Sequence, residues 1–285
     1  MVIESHTVPQ LTEKIRLSDY AGGIFTSITS RKGMKKAIDK GMVRLNGRIA
    51  STADLLSGGE LIELFFDQTA RNRPTIELRF EVLFEDDSLA VINKPPGIEV
   101  SGNRKWTLEN ALSQNLKPSG QVDALLYPEP IHRLDYPTSG ALLIGKTSSA
   151  VIELNRQFAD REVEKTYMAI TIGKMNGSGT VEAEIDGKPS VSTFKVLQRV
   201  VSERFGWLNL VELNPKTGRR HQLRKHMALL GNPILGDREY GTEGLILNGK
   251  GLYLHAVSLS FAHPFTQEKL SIRSSLPKKF VKIFA

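Results

Sequence analysis

HRLDYPTSGALLIGKT, residues 132–147, sets the architecture of the larger part of the chain. Its first residues read as extended, Pro137, Thr138, Ser139 and Gly140 make a turn, and ALLIGKT is an apolar run of strand length. Side chains alternate along an extended HRLD, so Arg133 and Asp135 project to the same side. The Asp135 carboxylate is thereby presented from a loop, where reactive groups concentrate. For that residue taken alone, an aspartate that satisfies turn amides stays an open alternative.

Strand signals extend in both directions. Upstream, RFEVLFEDDSLAVINKPPG (79–97) holds two apolar stretches around the turn-prone Glu85-Asp86-Asp87, a hairpin that ends at the rigid Pro95-Pro96-Gly97. Downstream come KTYMAITIG, FKVLQRV, WLNLVEL, LYLHAVSLSF and LSIRS. Helices are fewer. SSAVIELNRQFADRE places Ala150, Val151, Leu154 and Phe158 on one stripe, and RRHQLRKHMALLG ends at Gly231, a favourable helix stop. The class this predicts is α+β: a mainly antiparallel mixed sheet with a few packed helices.

Two further stretches carry candidate chemistry. In VEKTYMAITIG, strand alternation gives Val163, Lys165, Tyr167 and Ala169 one face, a polar insertion toward a cavity. A snorkelling lysine beside a buried tyrosine stays open there. In LNPKTGRRHQLRKHMALLGNPILGD, Lys216, Arg219, Arg220, Arg224 and Lys225 follow one another without an acid, and a basic helix start attracts phosphate. His221, Arg224 and Ala228 fall at i, i+3, i+7. His226 lies on the apolar stripe with Leu223, Met227 and Leu230 and reads as a core histidine. Five positions apart, His221 and His226 make a poor metal pair, and no metal is expected.

The N-terminal part has a different composition. Nine basic residues (Lys14, Arg16, Arg31, Lys32, Lys35, Lys36, Lys40, Arg44 and Arg48) face only Asp19 and Asp39, a surplus of seven that equals the +7 of all 285 residues. Ser30 caps a predicted helix through RKGMKKAIDKG, with Met34, Ala37 and Ile38 inward and Gly41 at its end. MVRLNGRIAS is a hairpin around Asn46-Gly47, and ELIELFF adds a strand. A basic face clustered on the helix and both hairpin arms points to a polyanion. The polar DQTARNRPTIEL (67–78) reads as a linker, with 1–13 as an N-terminal extension, 14–66 as a small α/β module and 79–285 as a second domain.

The composition narrows the function classes. With no cysteine, disulfides, thiolate metal sites and Cys nucleophiles are excluded. No apolar run has membrane-spanning length and the N-terminus lacks a secretory pattern, so no membrane partner and a cytoplasmic location are expected.

The N-terminal module resembles the S-four-type RNA-binding domain, on TSRKGMKKAIDKGMVRLNGR followed by SGGELIEL, although Arg16-Leu17-Ser18 stands where these domains often have Arg-Leu-Asp. The larger part resembles the RluA-type pseudouridine synthases: HRLDYPTSG matches the HRLDxxTSG motif, EKTYMAI the Lys-x-Tyr-x-Ala motif, and PKTGRRHQLRKHMALLGNPILGD the TGRxHQxRxH motif. That resemblance implies isomerisation of uridine within RNA: the glycosidic C–N bond breaks, the uracil turns, and a C–C bond forms at its C5, with no cofactor.

It implies Asp135 as the catalytic carboxylate, attacking the anomeric carbon or removing the 2′ proton, with Arg224 as its basic partner. Tyr167 would pack on the uracil, and its hydroxyl would be available to assist proton removal. Arg133 would fill the gap left by the flipped nucleotide, Lys165 would support the site wall, and Arg219, Arg220 and Lys225 would bind phosphates. Arg31, Lys32, Lys35, Lys36, Arg44 and Arg48 would contact RNA from the N-terminal module. The implied partner is RNA, ribosomal RNA of the large subunit before transfer RNA, and the implied state a monomer. The rival classes are a ribosome-binding factor without turnover and a metal-dependent nuclease.

Overall fold

The computed structural model describes residues 2–26, 28, 30–39, 41–65, 74–175, 177–247 and 249–285. Lys40 of the basic cluster, and residues 67–73 of the expected linker, lie outside the described residues. The chain divides into two compact units, Met1–Pro74 and Thr75–Ala285.

The first unit contains β1 (Val2–Thr7), β2 (Ile15–Arg16), α1 (Leu17–Tyr20), α2 (Arg31–Asp39), β3 (Val43–Leu45), β4 (Arg48–Ile49), β5 (Leu55–Leu56) and β6 (Leu61–Phe65). Its larger sheet runs β1-β6-β3-β4, and β2 pairs with β5. The stretch read as an N-terminal extension thus supplies a strand, antiparallel to β6 with His6 opposite Ile62. Its five-residue match to the apolar-alternating β6 covers an edge that would otherwise expose unpaired backbone groups.

The expected helix and hairpin both form. Ser30 Oγ accepts from the Gly33 N–H at 3.1 Å, and Met34, Ala37 and Ile38 are buried with Val43, Leu45, Ile62 and Leu64. Asn46 (φ 50°) and Gly47 (φ 79°) both take the left-handed conformation that a two-residue hairpin turn needs.

The second unit comprises β7 (Glu81–Glu85), β8 (Leu89–Lys94), a 3₁₀ turn (Leu108–Ala111), α3 (Leu112–Asn115), β9 (Ala124–Pro130), β10 (Ser139–Thr147), α4 (Ser148–Ala159) and β11 (Glu164–Ile172). Then follow β12 (Ser178–Ile185), β13 (Lys188–Ser202), β14 (Gly206–Pro215), α5 (Gln222–Leu229), β15 (Leu254–Ala262), β16 (Lys269–Arg273) and α6 (Lys278–Phe284). Among the described residues they build a ten-stranded sheet in the order β12-β13-β14-β11-β15-β10-β8-β7, with β16 on β15 and β9 on β10. Its pairs are antiparallel except that of β10 with β15. This is the mainly antiparallel mixed sheet of the α+β class.

The centre of that sheet is covered on both faces. All nine residues of β10 are buried. Alternate residues serve two cores: Leu89, Val91, Ala141 and Leu143 pack with α4 residues Ala150 and Leu154. Ala90, Ile92, Leu142 and Ile144 pack with Leu108, Ala111 and Leu112 on the opposite face. This is why LAVIN and ALLIG read as continuous apolar runs rather than as alternating ones. A third core collects β11, β14 and the inner face of α5 through Leu223 and Met227.

Gly140 lies where three strands meet, opposite Lys94 of β8 and Ala256 of β15. Its φ is 115°, and a Cβ there would fall 2.6 Å from the Ala256 amide nitrogen. Only glycine meets both demands. Replacing it combines backbone strain with overpacking, so Gly140→Ala is expected to lower the unfolding free energy by about 2–4 kcal/mol, read from urea denaturation.

Candidate active site

Strand β8 ends in a lysine whose side chain is 0% exposed. Lys94 Nζ donates to the carbonyl oxygens of Thr138 (2.8 Å), Pro95 (3.0 Å), Asp135 (3.3 Å) and Tyr136 (3.4 Å). The Thr138 N–H closes the turn onto the Asp135 carbonyl at 3.0 Å, and the Gly97 N–H donates to Tyr136 O at 2.8 Å. Burial pushes Lys94 down to about 7, while the negative charge of Asp135 pulls the other way. One buried cation therefore gathers the carbonyls of the turn that presents Asp135.

The Asp135 carboxylate accepts no hydrogen bond from a described residue. Arg224 Nη1 stands 3.8 Å from its Oδ2, and His221 Nε2 stands 3.8 Å from its Oδ1. Arg224 is held elsewhere: Nε and Nη2 donate to the two oxygens of Asp237 at 2.7 and 2.8 Å, and Nη2 also reaches Glu239 at 3.2 Å. Both partners of the bidentate pair are buried. Burial alone would lower Arg224, but the Asp237 carboxylate and the other acids hold it above its ordinary value. Conversely, the guanidinium keeps Asp237 low against its own burial.

The helix after TGRR begins later than its periodicity implies. His221 precedes α5 at φ 56°, ψ 24°, left-handed, so it does not continue a helical stripe with Arg224 and Ala228. Gln222 directs the change: its Oε1 accepts from the Arg219 N–H and from Thr217 Oγ1, and its Nε2 donates to Val191 O. Arg219 and Arg220 consequently sit in a turn rather than in a helix. His226 is a core residue, sharing a 2.8 Å hydrogen bond with Ser190 Oγ.

Arg133, Asp135, Lys165, Tyr167, Arg219, Arg220 and Arg224 all line one cavity of about 330 Å³. Tyr167, on β11, makes no hydrogen bond through its hydroxyl to a described residue, and burial with the nearby Asp135 charge raises its pKa. Lys165 lies 5.3 Å over the Phe158 ring, which also stacks on His132 at 4.8 Å. Lys225 does not line the cavity and pairs with Asp186 at 3.0 Å.

Arg31, Lys32, Lys35, Lys36, Arg44 and Arg48 of the N-terminal unit are exposed. Two are paired there, Arg31 with Asp19 at 2.6 Å and Arg48 with Asp54 at 2.8 Å, and Arg44 lies 4.5 Å over the Phe65 ring. Lys32, Lys35 and Lys36 form no ion pair with a described residue.

Residues 88–229 match the family profile described as RNA pseudouridylate synthase. Ribosomal large subunit pseudouridine synthase D of Haemophilus influenzae is 31% identical over 285 residues, covering 89% of this chain and 86% of that protein. The dual-specificity RNA pseudouridine synthase RluA of the same organism is 35% identical, over 70% of this chain and 95% of that one. In structure, human RNA Pseudouridylate Synthase Domain Containing 1 superposes with a TM-score of 0.59 at 25% identity, covering 70% of this chain and 86% of that chain. The chain belongs to the RluA-type family of RNA pseudouridine synthases, isomerases that act on RNA.

Two outcomes are expected. Asp237→Asn leaves Arg224 buried without its counter-charge and should cost about 3–5 kcal/mol of stability, measured by urea unfolding. The pH dependence follows from two buried imidazoles. Burial, with Lys165 adding to it, pushes His132 down to about 3, and its Nε2 accepts the Leu143 N–H at 3.1 Å. Burial brings His255 down to about 4. Both bind protons more readily when unfolded, so their contribution is constant above pH 6.5, and stability should fall as the pH drops from 6.5 toward 3–4, seen in thermal unfolding across that range.

Proposed function

We propose that this enzyme converts uridines of large-subunit ribosomal RNA to pseudouridine through the Asp135 carboxylate, acting as a cytoplasmic monomer. The observation that carries this reading is the placement of that carboxylate. It lines the cavity on a turn tied to Lys94, with cationic Arg224 near it at 3.8 Å yet too far to bind it tightly. A carboxylate oxygen with no hydrogen-bond donor among the described residues is free to attack the anomeric carbon or to take the 2′ proton.

The other site residues divide the remaining work. Tyr167 offers a ring face to the uracil, and Lys165 and Phe158 support the wall behind it. Arg133, exposed at the cavity edge, stacks into the space left by the flipped nucleotide, an event that costs a few kcal/mol. Arg219 and Arg220 hold the flanking phosphates; Lys225, turned to Asp186, contributes less.

The N-terminal unit is proposed as the S-four-type RNA-binding domain, contributing charge-driven affinity through Lys32, Lys35 and Lys36, with Arg44 beside them and Arg31 and Arg48 shaping the face. The ribosomal target is supported by relatives named for the large ribosomal subunit that align over nearly the whole chain, whereas the dual-specificity relative aligns over 70% of it.

Pseudouridine mapping of total RNA after deletion of the gene tests both target and residue. Ribosomal sites should vanish, return with the wild-type gene and stay absent with Asp135→Asn; restoration of transfer RNA sites alone would overturn the target. In a second experiment, the triple change of Lys32, Lys35 and Lys36 to Ala should flatten the slope of log affinity against log salt by about 2, since each lost phosphate contact removes about 0.7–0.9. Turnover at saturating RNA should not change.

A further inference from the structure

His221 is held so that one ring nitrogen is turned toward the reacting carboxylate. Its backbone is left-handed, a conformation that few residues besides Gly, Asn, Asp and His adopt. Nδ1 lies 3.0 Å from Tyr240 Oη and 3.3 Å from Glu239 Oε1. The single proton of the Tyr240 hydroxyl is donated to Glu239 Oε1 at 2.7 Å. Both atoms beside Nδ1 are therefore acceptors, and Nδ1 carries the ring proton. Burial and the Glu239 carboxylate keep that phenol protonated, up to about 12. In the neutral imidazole the Nε2 lone pair then faces the cavity, 3.8 Å from Asp135 Oδ1.

The reaction needs a base at that place. Once C5 of the uracil has bonded to the anomeric carbon, C5 still carries its hydrogen. The C5–H electron pair must return to the ring as the C5–C6 double bond, the former N1–C6 double-bond pair moving onto N1. N1 takes a proton from water, and the C5 proton goes to the base. Tyr167 is less suited, since burial and the Asp135 charge raise its phenol above its ordinary value and it makes no hydrogen bond to a described residue that would take its proton.

We propose that His221 Nε2 is the base that removes the C5 proton, a role that rests on the assignment of Asp135 as the catalytic carboxylate. A separation of 3.8 Å leaves room for a reacting atom about 3 Å from both groups. After accepting the proton the ring is an imidazolium, stabilised by Tyr240 and Glu239 on its far side, and it releases the proton to water.

Turnover of the full chain on RNA carrying hydrogen or deuterium at C5 of the target uridine tests this. His221→Asn keeps a residue that tolerates the left-handed backbone and removes the basic lone pair. It should lower kcat by about 10²-fold, with KM nearly constant, and raise the C5 deuterium isotope effect on kcat well above that of the wild type. Tyr240→Phe, which frees the ring to change tautomer, should shift both quantities in the same direction by less. Unchanged kcat in His221→Asn overturns the proposal, as does a loss of activity without a larger isotope effect, which would make His221 a positioning residue. If Asp135→Asn is inactive while His221→Asn is normal, only the assignment of His221 has failed. If Asp135→Asn retains activity, the reading of the whole site has failed.

Discussion

The buried ammonium of Lys94 is the constraint on which the site depends. A turn such as 135–138 has carbonyls that no sheet ladder satisfies, and buried carbonyls without donors are costly. Lys94 answers that need from the end of β8, and Gly140 lets β10 leave the same turn between β8 and β15 without a side chain in the way. The turn is thus fixed from beneath by a charge and from behind by a strand junction, and Asp135 needs no contact of its own to be held. That division leaves the carboxylate oxygens for chemistry.

Arg224 shows the same logic in electrostatic form. An arginine pointed only at Asp135 would close a bidentate pair and occupy both of its oxygens. Asp237 takes that geometry instead, at 2.7 and 2.8 Å, and what reaches Asp135 is the field of the remaining nitrogen at 3.8 Å. The buried pair positions a cation that the desolvated pocket could not otherwise keep in place. Glu239 then links this pair to the Tyr240 and His221 side, so the acids behind the cations organise both flanks of the cavity.

Much of this was legible in the order of residues, for reasons that differ by element. The β7–β8 hairpin, β10, β11 and α4 announce themselves because burial on one or two faces leaves a regular apolar pattern. In β9 (ALLYPEP) and β12 (SGTVEAEI) proline, glycine and acids dilute that pattern, and β1 reads as an extension because its partner residues are 54 or more positions away. At the site, motifs single out Asp135, Tyr167 and Arg224, whereas Lys94 reads as the polar end of a strand. Its role depends on carbonyls some forty positions downstream. Asp237 and Glu239 follow the motif as an unremarkable GDREYG. Periodicity puts His221 on a helical stripe because it assumes right-handed backbone, which Gln222 overrides by capping the preceding turn.

These misses share a cause that bears on how such a site works. Motifs register the groups that meet the substrate, while the groups that aim them are chosen by three-dimensional proximity and leave only an isolated Lys, Asp or Tyr in the sequence. Two of the aiming groups, Lys94 and Asp237, are buried and ionisable, the third, Tyr240, is a half-buried phenol, and each answers a specific partner: carbonyls for Lys94, a guanidinium for Asp237, the His221 ring for Tyr240. A pocket assembled this way holds its geometry before RNA arrives, because disturbing it means exposing a buried charge or leaving one unpaired. The energy needed to flip and accommodate a nucleotide can then come from binding along the RNA rather than from ordering the catalytic groups.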